Sequence, residues 1–456
     1  MSKILLVYPS LCEEGIKSSF AMPIGLIHVG SMLEHHNHEV KILDRNITSS
    51  NDYLKLLLKK EYDFVGIGSL TGKMLLDALE VSKVVKENSN SIVIWGSYHP
   101  TILPEQTLKN PFIDYIVRGE GEETFLKIAD LHDKKQSFSK LNGVNLNPPA
   151  QSIDINKLPM PNYDLVDVKA YDTFFISTSR GCPYRCTFCH NWYDSYKELS
   201  ADNTIKLFEF LTAKYKLRNV TVTDDNFSSN KKRLNKVANS IEKLDLKMYT
   251  FGRANYCDIE TLKVLKKVGV WTINIGIESG SQKILNFLNK ATTVKMNSDA
   301  IKNCRKMKIL SNSNFMIGIP TETIEDLNLT LKFANLNKAD SGGVSIFHPF
   351  PKTKVWDYCI KRNLVKELQT IEEWASHYDF NDVDMNVSDH SDEVLFDYYF
   401  KIQKVVSKGK YFRRSMLYLK SGRLPDYRRV LLALKNIQGE NRRMKEFAKT
   451  TQGEKK

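Results

Sequence analysis

Short apolar runs alternate with amphipathic segments of helix length in the first third of the chain. The runs lie at residues 3–8, 39–44, 63–68, 91–96 and 113–117. Strands buried on both faces of a parallel sheet read as continuous apolar runs, and the helices that connect them cover both faces. The pattern predicts an α/β fold with an N-terminal doubly wound parallel sheet over residues 1–135.

The alternation stops and then resumes. Residues 136–172 gather prolines in LNPPAQ and LPMPNY, which predicts an irregular linker. Six further strands are predicted near residues 173–178, 218–223, 247–252, 271–277, 312–318 and 343–348. Strand–helix units in this number favour a central partial (β/α)6 barrel over 173–358, with its active site at the carboxyl ends of the strands. Residues 359–456 show helical patterns and form a basic C-terminal region.

Charge is concentrated at the C-terminal end. The 456 residues carry a net charge of +13, and residues 401–456 contain 17 Lys/Arg against 4 Asp/Glu. This tail could meet an acidic substrate, a carrier protein, nucleic acid or an anionic membrane, or it could be a solvated helical face. Nucleic acid is disfavoured because no zinc-finger or aromatic RNA-binding pattern accompanies the charge.

The apolar runs are too short to cross a membrane. A spanning helix needs about 20 apolar residues, and no run in the chain reaches that length. The start, MSKILLVYPS, leads directly into a strand pattern without a signal-peptide core. We therefore expect no membrane span and a cytoplasmic location.

Three of the seven cysteines crowd into eight residues. Cys182, Cys186 and Cys189 give the spacing C-x3-C-x2-C directly after the first predicted barrel strand. An odd, clustered set suits a metal site in a reducing compartment better than a disulfide framework. Iron–sulfur cubanes are normally held by four thiolates, so three local ones leave one iron open to another ligand. Zinc is the alternative, with His190 as an awkwardly adjacent fourth ligand.

The segment from Ser179 to Cys189 resembles the radical SAM superfamily, in which an aromatic residue precedes the last cysteine of this spacing. The resemblance implies a 4Fe-4S cluster whose open iron chelates S-adenosylmethionine. It also implies that an external donor reduces the cluster, which passes one electron to the sulfonium to release a 5′-deoxyadenosyl radical. Phe188 would pack beside the cluster and the adenine.

Two further segments carry polar residues that the resemblance assigns to S-adenosylmethionine. Asp224 and Asp225 follow the second strand, where the superfamily receives the amino group of the methionine moiety; a helix N-cap is the alternative. Arg253 follows the third strand and resembles the basic residue near the methionine carboxylate, for which its bidentate fork is suited. The alternative is that Arg253 is simply an exposed surface charge.

The fourth and fifth strands end in glycine-containing turns. In IGIESGS, the resemblance implies cofactor contacts from Gly276, Glu278 and Ser279. The glycines of the segment permit the backbone to approach the cofactor closely, and Glu278 could accept a hydrogen bond from a ribose hydroxyl. Ile317 and Gly318 resemble the turn that contacts the adenine, although a plain strand-to-helix turn explains the glycine equally well. The sixth segment resembles P-x-P-G-T, but Lys352 stands where glycine is usual, and we assign it no chemistry.

The remaining cysteines are interpreted as structural. Cys257, Cys304 and Cys359 stand alone in the sequence. Lone cysteines are commonly buried and behave as small apolar residues. We expect all three to lie in the core.

Residues 3–131 resemble the cobalamin-binding front domain of one radical SAM branch. The likeness rests on PIGL at 23–26, GSYHPT at 96–101, and Asp114 followed by VRGEGEETF at 117–125. It implies contacts to cobalamin from the loops after the strands, namely Ser69, Leu70, Gly96, Tyr98, His99, Gly119 and Glu120. The D-x-H-x-x-G signature is absent, so we expect the dimethylbenzimidazole tail to be displaced and no histidine below the cobalt. His99 precedes a proline, which favours a loop-structuring role.

These resemblances imply a cobalamin-dependent radical SAM enzyme. The leading hypothesis is methylation of an unactivated carbon, or less often phosphorus, of a small-molecule or carrier-bound biosynthetic intermediate. One S-adenosylmethionine would methylate the cobalt and another would make the substrate radical. A rearrangement, cyclisation or oxidation with the same cofactors is the second hypothesis, and a non-catalytic iron–sulfur protein that senses redox state or binds a partner is the third. The front domain lacks the cysteine triplet of the tRNA methylthiotransferases, which argues against that branch.

Overall fold

The computed structural model of the chain describes residues 1–11, 21–190, 195–376 and 385–420. The N-terminal sheet has five strands, β1 (Lys3–Tyr8), β2 (Glu39–Asp44), β3 (Phe64–Gly68), β4 (Ile92–Gly96) and β5 (Tyr115–Ile116). They are parallel and lie in the order β2-β1-β3-β4-β5. All five apolar runs therefore contain strands, as the pattern predicts.

Helices cover both faces of this sheet. They are α1 (Ile24–His35), α2 (Asn51–Leu58), α3 (Met74–Asn88), α4 (Tyr98–Ile102), α5 (Pro104–Leu108) and α6 (Glu122–Asp133). Alternate residues of β1 enter different cores, because successive side chains point to opposite faces. Ile4 and Leu6 pack in the core that contains α1 and α6, and Leu5 and Val7 pack in the core that contains α2 and α3.

The segment between the two sheets is irregular, with three single-turn 3-10 helices between residues 155 and 170. Two of its tyrosines form hydrogen bonds with the flanking domains, one with each domain. Tyr171 donates a hydrogen bond from its hydroxyl to Asp44 at the end of β2, at 2.6 Å. Tyr163, which is buried, donates to the carbonyl of Phe175 at 2.8 Å. The connection therefore packs against the domains that it joins.

The central sheet has six parallel strands. They are β6 (Phe174–Ile176), β9 (Asn219–Val222), β10 (Lys247–Gly252), β11 (Val270–Glu278), β12 (Leu310–Ile317) and β13 (Ser341–Ile346). Spatial order follows chain order, from β6 to β13. The sequence did not predict a two-stranded antiparallel ribbon formed by β7 (Ser179–Arg180) and β8 (Lys197–Glu198).

Helices of the barrel alternate with these strands, and three more follow β13. The barrel helices are α7 (Ala201–Tyr215), α8 (Lys231–Ile241), α9 (Ile259–Lys267), α10 (Gln282–Phe287), α11 (Val294–Met307) and α12 (Ile324–Asn337). The last three are α13 (Lys354–Lys361), α14 (Ile371–Ser376) and α15 (Asp392–Lys420). The predicted fold class of parallel front sheet, partial barrel and helical C-terminal region is confirmed.

The long helix α15 covers the edge of the barrel sheet. Gln403 accepts a hydrogen bond from the backbone N–H of Val344 in β13 at 3.2 Å. A Cβ on Gly342 would lie 3.1 Å from Val406, so the glycine allows the helix to approach the strand closely. An open edge strand is a template for unwanted pairing, and the helix blocks this one. Residues 421–456, most of the predicted basic tail, lie outside the described residues.

Candidate active site

A cavity of about 390 Å³ lies between the carboxyl edge of the front sheet and the mouth of the barrel. The loops after β1, β3, β4 and β5 supply one wall, through residues that include Tyr8, Leu70, Gly96 and Gly119. The barrel supplies the other wall, with residues that include Ser177, Arg180, Gly181, Thr223 and Asp225. In doubly wound sheets, ligands bind at the carboxyl edge where the strand order reverses, and here that point lies between β1 and β3.

Glycines and apolar side chains give the front wall its shape. A Cβ on Gly119 would meet no atom within 4 Å, and one on Gly96 would come no closer than 3.7 Å to another residue. Leu6, Ile94 and Phe125 form the apolar floor. The front wall is therefore an open, largely apolar cleft of the kind that ligand sites usually have.

The seven predicted cobalamin contacts divide into two groups. Leu70, Gly96, Gly119 and Glu120 line the cavity, whereas Ser69, Tyr98 and His99 do not. The Ser69 hydroxyl donates to the carbonyl of Gly96 at 3.2 Å, and the His99 N–H donates to the carbonyl of Ser69 at 3.1 Å. Ser69 therefore ties the loops after β3 and β4 together, and its contact with cobalamin stays a prediction.

His99 has the loop-structuring environment that the sequence favoured. Its side chain is fully buried, and Nδ1 lies 3.1 Å from the hydroxyl of Thr71. Burial lowers the pKa of His99 to about 3, so the ring is neutral at physiological pH. The expectation that cobalt has no lower histidine stays a prediction.

The neighbouring Tyr98 belongs to an aromatic group that joins the front domain to the cluster loop. Its ring centroid lies 3.9 Å from that of His190, which in turn lies 4.3 Å from Phe350. His190 directly follows Cys189 and packs between the two rings. Tyr98 thus contributes to the interface between the two halves of the site.

Ion pairs also join the two walls. Arg180 donates to Glu120 at 2.8 Å and to Glu122 at 2.5 Å, and Lys197 pairs with the second oxygen of Glu120. All four side chains are largely buried. Because Arg180 lies two residues before Cys182, the network fixes the start of the cysteine loop on the front domain.

His28 is a cavity residue that was not predicted from the sequence. It lies on α1 and lines the cavity close to Arg180 and Glu122. Burial, followed by the Arg180 charge, lowers the pKa of His28 to about 4, which leaves a neutral ring beside the cavity. Its place one turn into an amphipathic helix gave no signal in the sequence, because core histidines occur at such positions too.

The cysteine loop is pinned by its neighbours. The backbone N–H of Thr187 donates to the carbonyl of Leu288 at 3.0 Å, and its carbonyl accepts from the N–H of Val355 at 3.1 Å. The turn after α10 and the first turn of α13 therefore hold the loop from two sides. A loop fixed in this way can present three thiols toward the barrel mouth.

The surroundings of Cys182 and Cys189 disfavour the thiolate form when no metal is bound. Burial raises the pKa of Cys182 and raises that of Cys189 to about 12, and the charge of Asp225 adds to both shifts. Bound iron would supply the positive charge that deprotonates them. Among the described residues, no three His, Cys, Asp or Glu side chains surround a single ion. A cubane instead spreads its thiolates over separate irons, which suits three thiols on one loop.

Asp224 and Asp225 are adjacent but occupy different environments. Asp224 is 1% exposed and accepts hydrogen bonds from the N–H of Thr178 at 2.6 Å and the N–H of Ser179 at 3.0 Å. Its carboxylate therefore anchors the turn that leads to the cysteine loop. Asp225 lines the cavity, and desolvation together with the Asp224 charge raises its pKa. The alternative of a helix N-cap is wrong for both, since Asn230 caps α8.

Glu278 pairs with a lysine that the sequence did not single out. Lys290 Nζ forms a buried ion pair with Glu278, and it lies 5.8 Å from the centroid of the Phe188 ring. A Cβ on Gly276 would clash with the Glu278 carboxylate and lie 2.8 Å from Lys290 Nζ. Gly276 thus makes room for the ion pair, and its approach to a cofactor stays a prediction.

Arg253 lies beside the cysteine loop. It is 6% exposed, so the alternative of an exposed charge is wrong. One guanidinium nitrogen lies 3.3 Å from Cys186 Sγ, another donates to the carbonyl of Lys290, and the group stacks 3.7 Å from the centroid of Tyr184. The arginine and Lys290 place two buried cations next to the thiols.

The predicted residues at the ends of β11 and β12 make internal contacts. Ser279 is fully buried, with its hydroxyl 3.0 Å from that of Thr330 in α12. Ile317 is also fully buried, and the N–H of Gly318 donates to Glu322 at 2.7 Å. Gly318 has a φ of 80°, a conformation that glycine adopts readily, so the alternative of a turn describes it well.

A row of polar side chains on alternate strand positions was also missed. Asn314 donates to Asn274 at 2.9 Å, and Asn312 donates to the hydroxyl of Tyr249 at 3.2 Å. These side chains are half-buried, whereas their strand neighbours such as Phe315 are buried. Amides at every second position of a predicted strand, as in Asn312-Ser313-Asn314, were the available signal.

Comparison with known proteins identifies the family to which the chain belongs. The model of the radical SAM superfamily matches residues 176–334, and that of the B12 binding domain matches residues 19–129. An uncharacterized methyltransferase of Pyrococcus horikoshii, PH0819, is 34% identical over 390 residues, which cover 80% of this chain and 84% of that one. The chain is a radical SAM protein with a B12 binding domain.

Two solved structures share the fold of this radical SAM protein. TsrM from Kitasatospora setae, a radical S-adenosylmethionine methyltransferase with cobalamin and a 4Fe-4S cluster bound, has a TM-score of 0.72 at 17% identity and covers 91% of this chain and 90% of its own. OxsB, a cobalamin-dependent S-adenosylmethionine radical enzyme, has a TM-score of 0.66 at 21% identity, and the match covers 82% of this chain. That match spans 56% of the OxsB chain.

The cofactors of the radical SAM protein are a 4Fe-4S cluster, S-adenosylmethionine and cobalamin. The residues present fit them, since Cys182, Cys186 and Cys189 are free thiols on a pinned loop that begins beside Gly181 in the cavity lining, and the front wall offers an open apolar cleft. None of the described helices combines the length and apolar character that crossing a membrane requires.

Proposed function

We propose that the protein is a cobalamin-dependent methyltransferase that adds a methyl group to an unactivated carbon of a small biosynthetic intermediate. The observation that carries the proposal is the single cavity whose front wall is the B12 binding domain and whose barrel wall includes Gly181, next to Cys182. The names of PH0819 and TsrM support methyl transfer over other radical chemistry.

The cofactors divide the chemistry between the two walls. When bound, the cluster and S-adenosylmethionine supply a carbon radical, and cobalamin supplies the methyl group. The chain's own residues hold and orient these groups. Cys182, Cys186 and Cys189 hold the cluster, and the loops with Leu70, Gly96 and Gly119 receive the corrin and its tail.

Charged residues at the barrel wall have distinct tasks. Asp225 lines the cavity, and no group among the described residues donates a hydrogen bond to its carboxylate, which is therefore available to the amino group of S-adenosylmethionine. Arg253 and Lys290 place positive charge beside Cys186 and Phe188, which favours the thiolates and an anionic carboxylate close by. We assign Asp224, Gly276, Glu278 and Ser279 to positioning, since each is used within the protein.

The contact between the two walls matters for the reaction. Arg180, Glu120 and Glu122 are largely buried and cross from one wall to the other. These ion pairs fix the separation of the two walls that would hold the cofactors, and proximity of this kind lowers the barrier of a group transfer.

Product analysis tests the proposal. Anaerobically reconstituted protein would be given cobalamin, reductant, S-adenosylmethionine and a small-molecule extract as the substrate source. Methyl transfer with two molecules of S-adenosylmethionine predicts S-adenosylhomocysteine and 5′-deoxyadenosine in similar amounts. Rearrangement, cyclisation or oxidation would give 5′-deoxyadenosine without S-adenosylhomocysteine, and absence of both products from all extracts would contradict an enzymatic role.

The Asp225→Asn variant serves as the matched control. It keeps the size of the side chain and removes the charge that we assign to the amino group. We expect both products to fall together, with iron and cobalt contents unchanged. Unchanged binding of S-adenosylmethionine, measured by calorimetry, would remove Asp225 from the site.

A further inference from the structure

The outer side of the cysteine loop carries exposed positive charge. Arg185 lies within the loop and is exposed, and so are Lys352 and Lys354 at the start of α13. We call these three residues the basic rim. They are distinct from Arg253 and Lys290, which are buried on the inner side of the loop.

Backbone contacts bring the members of the rim together. The N–H of Val355, next to Lys354, donates to the carbonyl of Thr187 at 3.1 Å. Thr187 is two residues from Arg185, whose own carbonyl accepts from Asn289 at 2.7 Å. The first turn of α13 therefore lies directly against the loop that holds the thiols.

The charge of the rim is not neutralised locally. Among the described residues, no carboxylate lies within 4.0 Å of the cationic nitrogens of Arg185, Lys352 or Lys354, whereas the nearby Lys283 pairs with Asp326 at 2.6 Å. Arg185 instead donates to the carbonyl of Cys182 at 3.2 Å. Unpaired cations on one side of a redox loop create a local positive potential that attracts an acidic surface.

The backbone at Lys352 is in a conformation that does not favour lysine. Its φ is 63°, in the left-handed region where a side chain costs about 1–2 kcal/mol relative to the right-handed one. Lys216, Lys308 and Lys338 share this conformation, but each ends a helix, where such residues are usual. Lys352 lies in the turn before α13, where glycine would be easier to accommodate. A charge therefore stands at a turn position that does not require a side chain.

We propose that the basic rim is the docking surface for an acidic protein that carries a low-potential, one-electron group and reduces the cluster. The proposal rests on the radical SAM function, which requires one electron at the cluster. The donor protein is oxidised by one electron and the cluster is reduced by one, and no covalent bond forms or breaks. Arg185 contacts the backbone of Cys182, so a protein seated on the rim is separated from the cluster only by the loop.

Reduction kinetics test the proposal. We would reconstitute the cluster in the double variant Lys352→Glu/Lys354→Glu and follow its absorbance after mixing with a reduced, acidic flavodoxin. We expect the second-order rate constant at low salt to fall by about tenfold or more, as for electrostatically steered association. The loss should shrink as salt is raised. Glutamate in the first turn of a helix is favourable, so Lys354→Glu should leave α13 folded.

Two controls separate docking from other effects. The control variant Lys308→Glu/Lys338→Glu also replaces two lysines. These two have a left-handed backbone and precede β12 and β13, at the amino ends of the strands and far from the cysteine loop. The cluster of this variant should be reduced at the wild-type rate. Photoreduced 5-deazaflavin, a neutral small donor, should reduce the rim variant and the wild type equally.

The outcomes are distinct. Equal rates with flavodoxin for the rim variant, the control variant and the wild type would overturn the docking surface. A slowed reaction with both flavodoxin and deazaflavin would also overturn it, because the substitution would then act on the cluster itself. If the wild type holds no reducible cluster, or never cleaves S-adenosylmethionine after deazaflavin reduction, the proposed function fails instead.

Discussion

The two walls of the cavity are built in opposite ways. The front wall is made of glycines and apolar side chains, and positions such as Gly96 and Gly119 face space that no other residue fills. The barrel wall presents polar and charged residues such as Arg180 and Asp225, and other polar residues of the barrel bond to one another, as Asp224 does with Thr178 and Glu278 with Lys290. The front wall leaves room for a large ligand, whereas the barrel wall is already organised around the thiols.

This difference bears on how motifs are interpreted. A glycine in the front loops creates space for a ligand, but Gly276 in the barrel creates space for the ion pair of Glu278 and Lys290. A motif residue can therefore act on a cofactor directly or by positioning another side chain. Separate loss of each cofactor is the way to test whether the two walls act independently.

The largest effect is expected from the barrel wall. Replacing Cys182, Cys186 and Cys189 by Ala should abolish iron binding and cleavage of S-adenosylmethionine, because no other thiols stand on the loop. Cobalt content should stay at the wild-type level. Cys304→Ala is the control, since that thiol is fully buried in the core. Iron retained by the triple variant would contradict the cluster assignment.

The front wall should show the converse loss. Gly96→Leu would place a branched side chain in the cavity, and we expect cobalamin affinity to fall by about 100-fold, the equivalent of roughly 3 kcal/mol. Iron content should not change. Gly96→Ala is the matched control, because its Cβ would come no closer than 3.7 Å to another residue. Equal cobalt retention by the two variants, measured after gel filtration, would show that the corrin lies elsewhere.

The two adjacent aspartates should separate stability from binding. Asp224→Asn disrupts a buried carboxylate that bonds two backbone N–H groups and the Thr178 hydroxyl, and we expect the free energy of unfolding to fall by about 2–4 kcal/mol. Asp225→Asn should change it by less than about 1 kcal/mol, because Asp225 faces the cavity and accepts no hydrogen bond from the described residues. Denaturant unfolding measures both. A larger loss for Asp225→Asn would reverse our assignment of the pair.

The smallest expected effect depends on pH. Burial raises the pKa of Glu322 from 4.5 to about 8, although the N–H groups of Gly318 and Ile319 donate to it. The folded protein therefore binds this proton more tightly than the unfolded chain, so the contribution of Glu322 to stability is full below pH 4.5 and is lost as the pH rises toward 8.

Replacing Glu322 by glutamine, a neutral side chain of the same shape, should remove this dependence of stability on pH. Glu322→Gln should match the wild type near pH 5 and exceed its free energy of unfolding by about 1–3 kcal/mol near pH 8. Unfolding curves at the two pH values give the comparison. A stability difference that stays constant between them would show that Glu322 is ionised in the folded protein throughout.

Much of the fold could be predicted because parallel strands are buried on both faces. Runs such as 3–8 and 91–96 are apolar without interruption, and they become β1 and β4. The ribbon of β7 and β8 has two residues in each strand and leaves no such pattern. The contact of α15 with β13 could not be predicted from the sequence either, since it depends on a partner strand about sixty residues away.

The candidate site was predictable in its cysteines and less so in its other residues. The thiols are close in sequence, so their spacing is visible. Glu278 and Lys290 are separated by a turn and a helix, and the pairing that defines the task of Gly276 appears only when α10 folds back on β11. His28 lines the cavity from α1, and the amides of Asn274 and Asn314 meet across two neighbouring strands. Both arrangements depend on how the elements pack, which the sequence does not display.

Metal content tests the shared cavity most directly. The protein would be reconstituted anaerobically with iron, sulfide and hydroxocobalamin, desalted, and analysed for iron and cobalt. The account predicts about four irons and about one cobalt per chain, with each metal lost separately in the cysteine and Gly96→Leu variants. Four irons without cobalt in the wild type would contradict it, because the front wall would then be a surface for a substrate or partner instead of a cobalamin site.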